Sequence, residues 1–124
     1  MRSPLGRALG LGSAKGGTDH WWAQRVTAVA LIPLIGWAVF SLLMLGRLDH
    51  DALVQWIDRP INTIALLLLL GTLFYHSELG IQVVIEDYVH VGWLKVPSLM
   101  LSKFVHVALG VASIFAVLKI AFGI

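Results

Sequence analysis

The sequence contains no cysteine, which excludes disulfide bonds, iron–sulfur ligation and zinc–thiolate sites within this chain. Charged residues are scarce as well. They make up 13% of the 124 residues, whereas a soluble domain carries roughly 25%. Hydrophobic residues make up 58%. Most of the protein surface must therefore face something other than water, and a lipid bilayer is the simplest candidate.

The N-terminal segment lacks a long apolar run. The apolar stretch at residues 9–11 is too short for the core of a secretory signal peptide. We therefore expect residues 1–20 to form a mature amphipathic or flexible tail. The nine basic residues are spread along an apolar chain, so we interpret them as charges that flank membrane segments and expect no binding to nucleic acid. The length predicts a single domain, residues 1–124.

Three apolar stretches remain, at residues 26–46, 60–77 and 104–118. The first has 21 residues without a charge, enough for a helix to cross a hydrocarbon core of about 30 Å. The third reaches spanning length if Lys103 and Lys119 extend their ammonium groups to the two interfaces. Alternation with period two is absent, which disfavours strands. The sequence predicts an all-α membrane protein with three transmembrane helices at about 21–46, 60–86 and 97–122.

The short connections predict how these helices are arranged. Neighbouring helices joined by short loops run antiparallel, which gives an up-down-up bundle. Basic residues favour the N-terminal side of that bundle by six to three, which predicts a cytoplasmic N-terminus. Tryptophans near the helix ends fit an aromatic belt at the membrane interfaces. These tryptophans are Trp21, Trp22, Trp56 and Trp93, and the basic residues are Arg2, Arg7, Lys15, Arg25, Lys95 and Lys103 against Arg47, Arg59 and Lys119.

Two histidines lie within the predicted spans, His76 and His106. Counted along their helices from the cytoplasmic ends, they lie about 14 Å and about 12 Å deep. Neither belongs to a zinc or di-metal pattern, but a neutral imidazole in an apolar bundle suits haem iron. The two could ligate one haem together, one could pair with a histidine of another chain, or each could simply hydrogen-bond to a neighbouring helix. Glu78 also lies in a predicted span, where it must face a polar cavity or be protonated.

Further polar residues lie at the predicted cytoplasmic interface. Arg25 could pair with a carboxylate such as a haem propionate, or could serve only as a positive membrane flank, with His20 nearby. Asp87 and Tyr88 close the second predicted helix. A phenol there can donate a hydrogen bond to a quinone carbonyl, and a neighbouring carboxylate can relay a proton. The alternative is an ordinary loop junction.

Taken together, these residues resemble a known family. The stretch His76-Ser-Glu-Leu-Gly80-Ile-Gln-Val-Val-Ile-Glu-Asp87-Tyr88 has the family spacing of a histidine, a glycine four residues later and a closing Asp-Tyr pair. Arg25-Val-Thr-Ala resembles the family's start of its first helix. The chain is thus similar to the small hydrophobic membrane-anchor subunit of bacterial and mitochondrial succinate dehydrogenase, respiratory complex II.

The resemblance implies roles for several residues. His76 would be an axial ligand of haem b, with the second histidine supplied by the partner anchor subunit, cytochrome b. Tyr88 would hydrogen-bond ubiquinone near the iron–sulfur subunit, with Asp87 beside it, and Arg25 would lie near the haem propionates. His106 would have only a packing or hydrogen-bonding role. The flavoprotein subunit would complete a complex in the bacterial inner membrane.

Other functions are possible on the sequence alone. The chain could anchor a fumarate reductase, because the sequence does not determine the direction of catalysis. It could also be a non-redox assembly factor or transporter subunit. However, internal repeats typical of transporters are absent, and the spans contain no G-x-x-x-G pair. Succinate chemistry itself is excluded from this chain, which has neither a dinucleotide fingerprint nor cysteine.

Overall fold

The computed structural model describes residues 4–124, with side chains described from residue 18 onward. This part of the chain is helical and contains no strand. Three of its helices contain segments long and apolar enough to cross a membrane: Thr18–Leu45, Pro60–Tyr88 and Gly92–Phe122. The predicted all-α fold with three candidate membrane spans is confirmed. The helices are α1 (Pro4–Leu45), α2 (His50–Asp58), α3 (Pro60–Tyr88) and α4 (Gly92–Phe122).

The helix bounds differ from those predicted at three places. Helix α1 begins at Pro4, inside the segment interpreted as a tail, and α4 begins at Gly92 rather than near residue 97. The first connection contains the short helix α2, which the sequence pattern did not indicate. The hydropathy of the three spans does not predict α2, because nine residues are too few to cross a bilayer.

Contacts between side chains show that the long helices run antiparallel. Thr27 of α1 contacts His76 of α3, while Trp56, which precedes α3, contacts Ser41 near the end of α1. Helix α3 lies between its two neighbours, contacting both α1 and α4. In the second pair, Glu78 contacts Lys103, and Phe74 lies against Gly110. Rising numbers on one helix meet falling numbers on the next, as an up-down-up order requires.

Little of the chain is buried within its own fold. Between 6% and 11% of each spanning window is buried, and few apolar residues of the described part of the chain are buried. Large aliphatic and aromatic side chains cover the outer faces of all three spans. A surface of this kind is stable only against lipid or against other apolar helices, because it would be costly to hydrate. The buried apolar residues are Leu31, Trp56, Leu79 and Val117.

Trp56 joins α2 to the end of α1. Its side chain is 4% exposed, its ring stacks on Trp37 with centroids 5.4 Å apart, and its indole N–H donates to Ser41 Oγ at 2.7 Å. Trp56 is thus covered by the protein itself, whereas Trp21, Trp22 and Trp93 are exposed near the ends of the candidate spans. A buried indole requires a hydrogen-bond partner, and Ser41 provides it.

The ends of α2 are held by side-chain hydrogen bonds. Asp49 caps its N-terminus, accepting from the Ala52 N–H at 2.8 Å, and pairs with Arg47 at 2.7 Å. The Ala52 N–H and then Arg47 lower the pKa of the Asp49 carboxyl. This stabilisation is present above the unfolded-state pKa and is lost as pH falls through the folded-state pKa. At the other end, Asn62 donates to Trp56 O at 2.9 Å, which fixes α2 against the start of α3.

Candidate functional site

The candidate site is centred on His76, which faces α1. Its Nδ1 lies 2.9 Å from Oγ1 of Thr27. The Thr27 hydroxyl also lies 2.7 Å from the carbonyl oxygen of Ala23 and 3.1 Å from that of Gln24. Among the side chains that the structure describes, the second ring nitrogen of His76, Nε2, has no hydrogen-bond partner. One nitrogen of this imidazole is thus held by the protein while the other is free.

The tautomer of His76 depends on which group the Thr27 hydroxyl donates to. A hydroxyl has one hydrogen, and carbonyl oxygens can only accept. If Thr27 donates to Ala23 O, the contact with His76 requires the ring to donate from Nδ1–H. Nε2 then carries a lone pair in the neutral imidazole, which is the form that binds a metal. In that tautomer the lone pair of His76 is on Nε2, not on the nitrogen beside Thr27.

Around Thr27, helix α1 presents a row of polar side chains, here called the polar stripe, to α3. His20, Gln24 and Thr27 follow one another at helical spacing, so they lie on one face of α1. Two buried atoms of this stripe, His20 Nε2 and Gln24 Oε1, have no partner among the described residues. Gln24 lies opposite Gly80, where an added Cβ would be 3.7 Å from its amide nitrogen. Gly80 thus lies where α1 and α3 meet.

His106 has a different environment from His76. Its Nδ1 lies 2.7 Å from Ser102 O, and its Nε2 lies 3.1 Å from Ser77 Oγ. Because the carbonyl can only accept, Nδ1–H donates to it and Nε2 accepts from the Ser77 hydroxyl. Both ring nitrogens are therefore occupied by protein groups: Nδ1 by the preceding turn of α4, and Nε2 by Ser77 of α3. This arrangement leaves His106 no free lone pair for a metal.

Glu78 forms an ion pair across the same α3–α4 contact. Its Oε1 lies 3.1 Å from Lys103 Nζ, and the two side chains are 14% and 58% exposed, respectively. Lys103 therefore does not simply extend to the interface, as the sequence suggested, but neutralises a carboxylate inside the span. The pair lines a groove of about 380 Å³ between α3 and α4, whose other lining residues are mainly apolar.

We expect Lys103→Met to destabilise the protein more than Glu78→Gln. The first change leaves a largely buried carboxylate without its cation, a loss of about 1–3 kcal/mol. The second leaves the ammonium group of Lys103 without a partner, but this side chain is already more than half exposed and can extend toward water. Thermal unfolding of the purified complex in detergent would measure both. The double variant serves as the control and should recover part of the loss, whereas equal effects of the two single changes would contradict this account.

The structure does not bring Arg25 to His76. Arg25 is two residues before Thr27 and so lies about 200° around α1 from it. Its guanidinium carbon lies 5.4 Å from the centre of the Trp21 ring, and the side chain is exposed. Arg25 is thus at the same end of the bundle as His76 but on an outer face. Its role beside haem propionates stays a prediction.

Asp87 and Tyr88 form the last two residues of α3. Both are exposed, Tyr88 to 77%, and neither side chain takes part in the hydrogen bonds and ion pairs that join side chains across the described helices. Along the helix, Tyr88 lies about 18 Å beyond His76. The two positions are therefore separate: an imidazole inside the bundle, and a phenol with a carboxylate at its end.

Metal binding by this chain would rest on a single imidazole. Residues 18–124 contain no group of three or more His, Asp or Glu side chains that could hold a metal ion. A haem iron differs from such sites, since the porphyrin supplies four nitrogens and the protein needs to add only axial ligands. The free Nε2 of His76 is compatible with that requirement.

Comparison with known proteins identifies the family of this chain. The family model for the succinate dehydrogenase/fumarate reductase transmembrane subunit matches residues 1–118. The succinate dehydrogenase hydrophobic membrane anchor subunit of Rickettsia bellii is 37% identical over 117 residues, covering 94% of each chain. The protein of the same name from Paracoccus denitrificans is 29% identical over 121 residues, covering 98% of this chain and 93% of its own. No solved structure matches significantly. The chain belongs to the family of succinate dehydrogenase/fumarate reductase transmembrane subunits.

Proposed function

We propose that this chain anchors a succinate dehydrogenase complex in the membrane, ligates a b-type haem through His76 and contributes Tyr88 to a ubiquinone site. The observation that carries the haem assignment is the free Nε2 of His76, whose other nitrogen is held by Thr27. Family membership supports the anchor role. The haem would supply a one-electron carrier within the bilayer.

The second axial ligand would come from a partner anchor subunit, cytochrome b. His106 of this chain is a poor candidate because Ser77 and Ser102 occupy its two nitrogens. A haem shared between two chains would cover part of the apolar outer surface that the three helices leave exposed. It would also explain how a chain with so small a core retains a cofactor of that size.

The end of α3 would form part of the quinone site. The exposed phenol of Tyr88 can donate to a quinone carbonyl, and the carboxylate of Asp87 can orient a neighbour or relay a proton. The cation of Arg25 lies at the same end of the bundle, on an outer face, where a propionate of a shared haem could pair with it. An iron–sulfur subunit would dock against this end and deliver electrons from the flavoprotein subunit that oxidises succinate.

The distribution of basic residues supports a cytoplasmic N-terminus. An N-terminus in the cytoplasm of a bacterium places the start of α1 and the end of α3 on the cytoplasmic face of the inner membrane. Tyr88 and Asp87 would then face the side on which soluble subunits are made. The family description also covers fumarate reductase, so the same anchor operating in the reverse direction is the second candidate.

The test is a reduced-minus-oxidised absorption spectrum of the complex purified through a tag on this chain. We expect a b-type signal, co-purification of a second apolar subunit and of two soluble subunits, and succinate-dependent quinone reduction. Quinone reduction without a haem signal would overturn the haem assignment and leave a haem-free anchor. Absence of both activity and soluble subunits would overturn the anchor role.

A further inference from the structure

Thr27 is one of the few polar residues buried within the described part of this chain. It is 8% exposed, and its hydroxyl has three polar neighbours: two backbone carbonyls of the preceding turn and the imidazole of His76. A threonine in a helix usually satisfies its hydroxyl with the carbonyl four residues earlier. Thr27 does this through Ala23 and, in addition, contacts a side chain on another helix.

We infer that Thr27 is a positioning residue for His76: its hydroxyl accepts a hydrogen bond from Nδ1–H, fixing the tautomer and the ring orientation that present Nε2 to the haem iron. The inference rests on the proposed role of His76 as a haem ligand. A ligating histidine almost always donates its other N–H to an acceptor, and that acceptor orients the ring and raises its basicity. Thr27 is the acceptor that this structure supplies.

The way Thr27 is held makes it a rigid acceptor. When its single hydrogen is directed to its shortest contact, Ala23 O at 2.7 Å, its oxygen lone pairs are left for the ring of His76. The β-branched side chain has few rotamers in a helix, which limits reorientation of the hydroxyl. The ring of His76 is thus oriented by a hydroxyl that is itself held in place by the backbone of α1.

The chain provides a matched control at Thr63. This residue is 9% exposed, and its hydroxyl also lies close to the carbonyl oxygen four residues earlier, Arg59 O, at 3.0 Å. Its shorter contact, at 2.5 Å, is with the carbonyl oxygen of Ile57, to which it donates, and none of its partners is a histidine. Thr27→Val and Thr63→Val therefore remove the same buried hydroxyl from two helices, but only the first removes a partner of His76.

The experiment measures haem retention and the haem midpoint potential in the purified complex for Thr27→Val, Thr27→Ser and Thr63→Val. We expect Thr27→Val to weaken haem retention roughly tenfold or more and to raise the midpoint potential, because a less basic imidazole stabilises ferric iron less. Thr27→Ser keeps the hydroxyl and should restore both properties. Thr63→Val should leave both unchanged, even if the complex unfolds at a lower temperature.

Each alternative outcome has a distinct meaning. Wild-type haem retention and potential in Thr27→Val would overturn the inference while leaving His76 as a ligand. Equal shifts in Thr27→Val and Thr63→Val, or failure of Thr27→Ser to restore the wild-type values, would also overturn it, since the effect would then not come from the hydroxyl beside His76. A wild-type complex without haem would instead overturn the proposed function on which the inference rests.

Discussion

Replacing His76 with leucine should abolish the b-type spectrum of the complex. Leucine is close to histidine in volume and apolar, so it fits the α1–α3 contact but offers no lone pair to iron. In the proposed site, removal of His76 would leave only the ligand from the partner subunit, and a low-spin bis-histidine signal requires both. The reduced-minus-oxidised spectrum and the haem content per complex measure the result. We expect loss of the signal, not a shift.

His106→Leu is the matched control for this prediction. His106 lies in the neighbouring helix, is part-buried like His76, and makes protein hydrogen bonds through both nitrogens. Its replacement leaves the hydroxyl of Ser77 without its acceptor at a cost of about 1–3 kcal/mol, so the complex should unfold at a lower temperature while the spectrum persists. An unchanged spectrum in His76→Leu would refute His76 as a ligand. Loss of the signal in both variants would place both ligands within this chain.

The second large effect is expected at Tyr88. Tyr88→Phe removes the phenol hydroxyl from an exposed position at the end of α3 and should lower quinone reduction on the order of 100-fold, as for loss of a group that assists proton transfer. Succinate oxidation with an artificial dye that accepts electrons before the quinone should be retained. Comparing the two assays on one preparation separates damage to the quinone site from damage to the whole complex.

Tyr75→Phe provides the control for Tyr88. Tyr75 lies on the same helix, is half-exposed and lines the groove between α3 and α4. The same chemical change there should leave both assays near wild type. Quinone activity in Tyr88→Phe equal to wild type would remove Tyr88 from the site. A parallel fall in dye reduction would show that the substitution acts on assembly rather than on quinone chemistry.

The residues proposed for the cofactors came from the sequence, through its resemblance to a known family. His76, Gly80, Asp87 and Tyr88 lie on one helix, so their separation along the chain also sets their separation in space. Contacts between residues on different helices could not be predicted from their separation along the chain. Thr27 was visible only as part of an Arg-Val-Thr-Ala resemblance, and its contact with His76 depends on the register between α1 and α3. A shift of one turn, about 5.4 Å, would separate them.

The interpretation of the polar residues in the spans also required the structure. On the sequence, Glu78 had no partner and Lys103 was a membrane flank, 25 residues away; packing of α3 on α4 makes them an ion pair. Similarly, His76 and His106 have nearly the same predicted depth in the membrane. Only their hydrogen-bond partners on neighbouring helices, Thr27 and Ser77, distinguish them. Partners of this kind lie on different helices, and a single sequence carries no direct signal of which residues meet there.

The sequence by itself determined that the chain is helical and has three candidate membrane spans. The thickness of the hydrocarbon core sets a minimum length for each uncharged stretch. The bilayer also requires that backbone hydrogen bonds be made within each helix. The tertiary structure alone decided that Trp56 is buried against α1, that α2 is fixed against the start of α3, and that His76 keeps one ring nitrogen without a partner among the described side chains. Those features depend on how helices pack, and packing is determined by contacts between distant parts of the chain that hydropathy does not record.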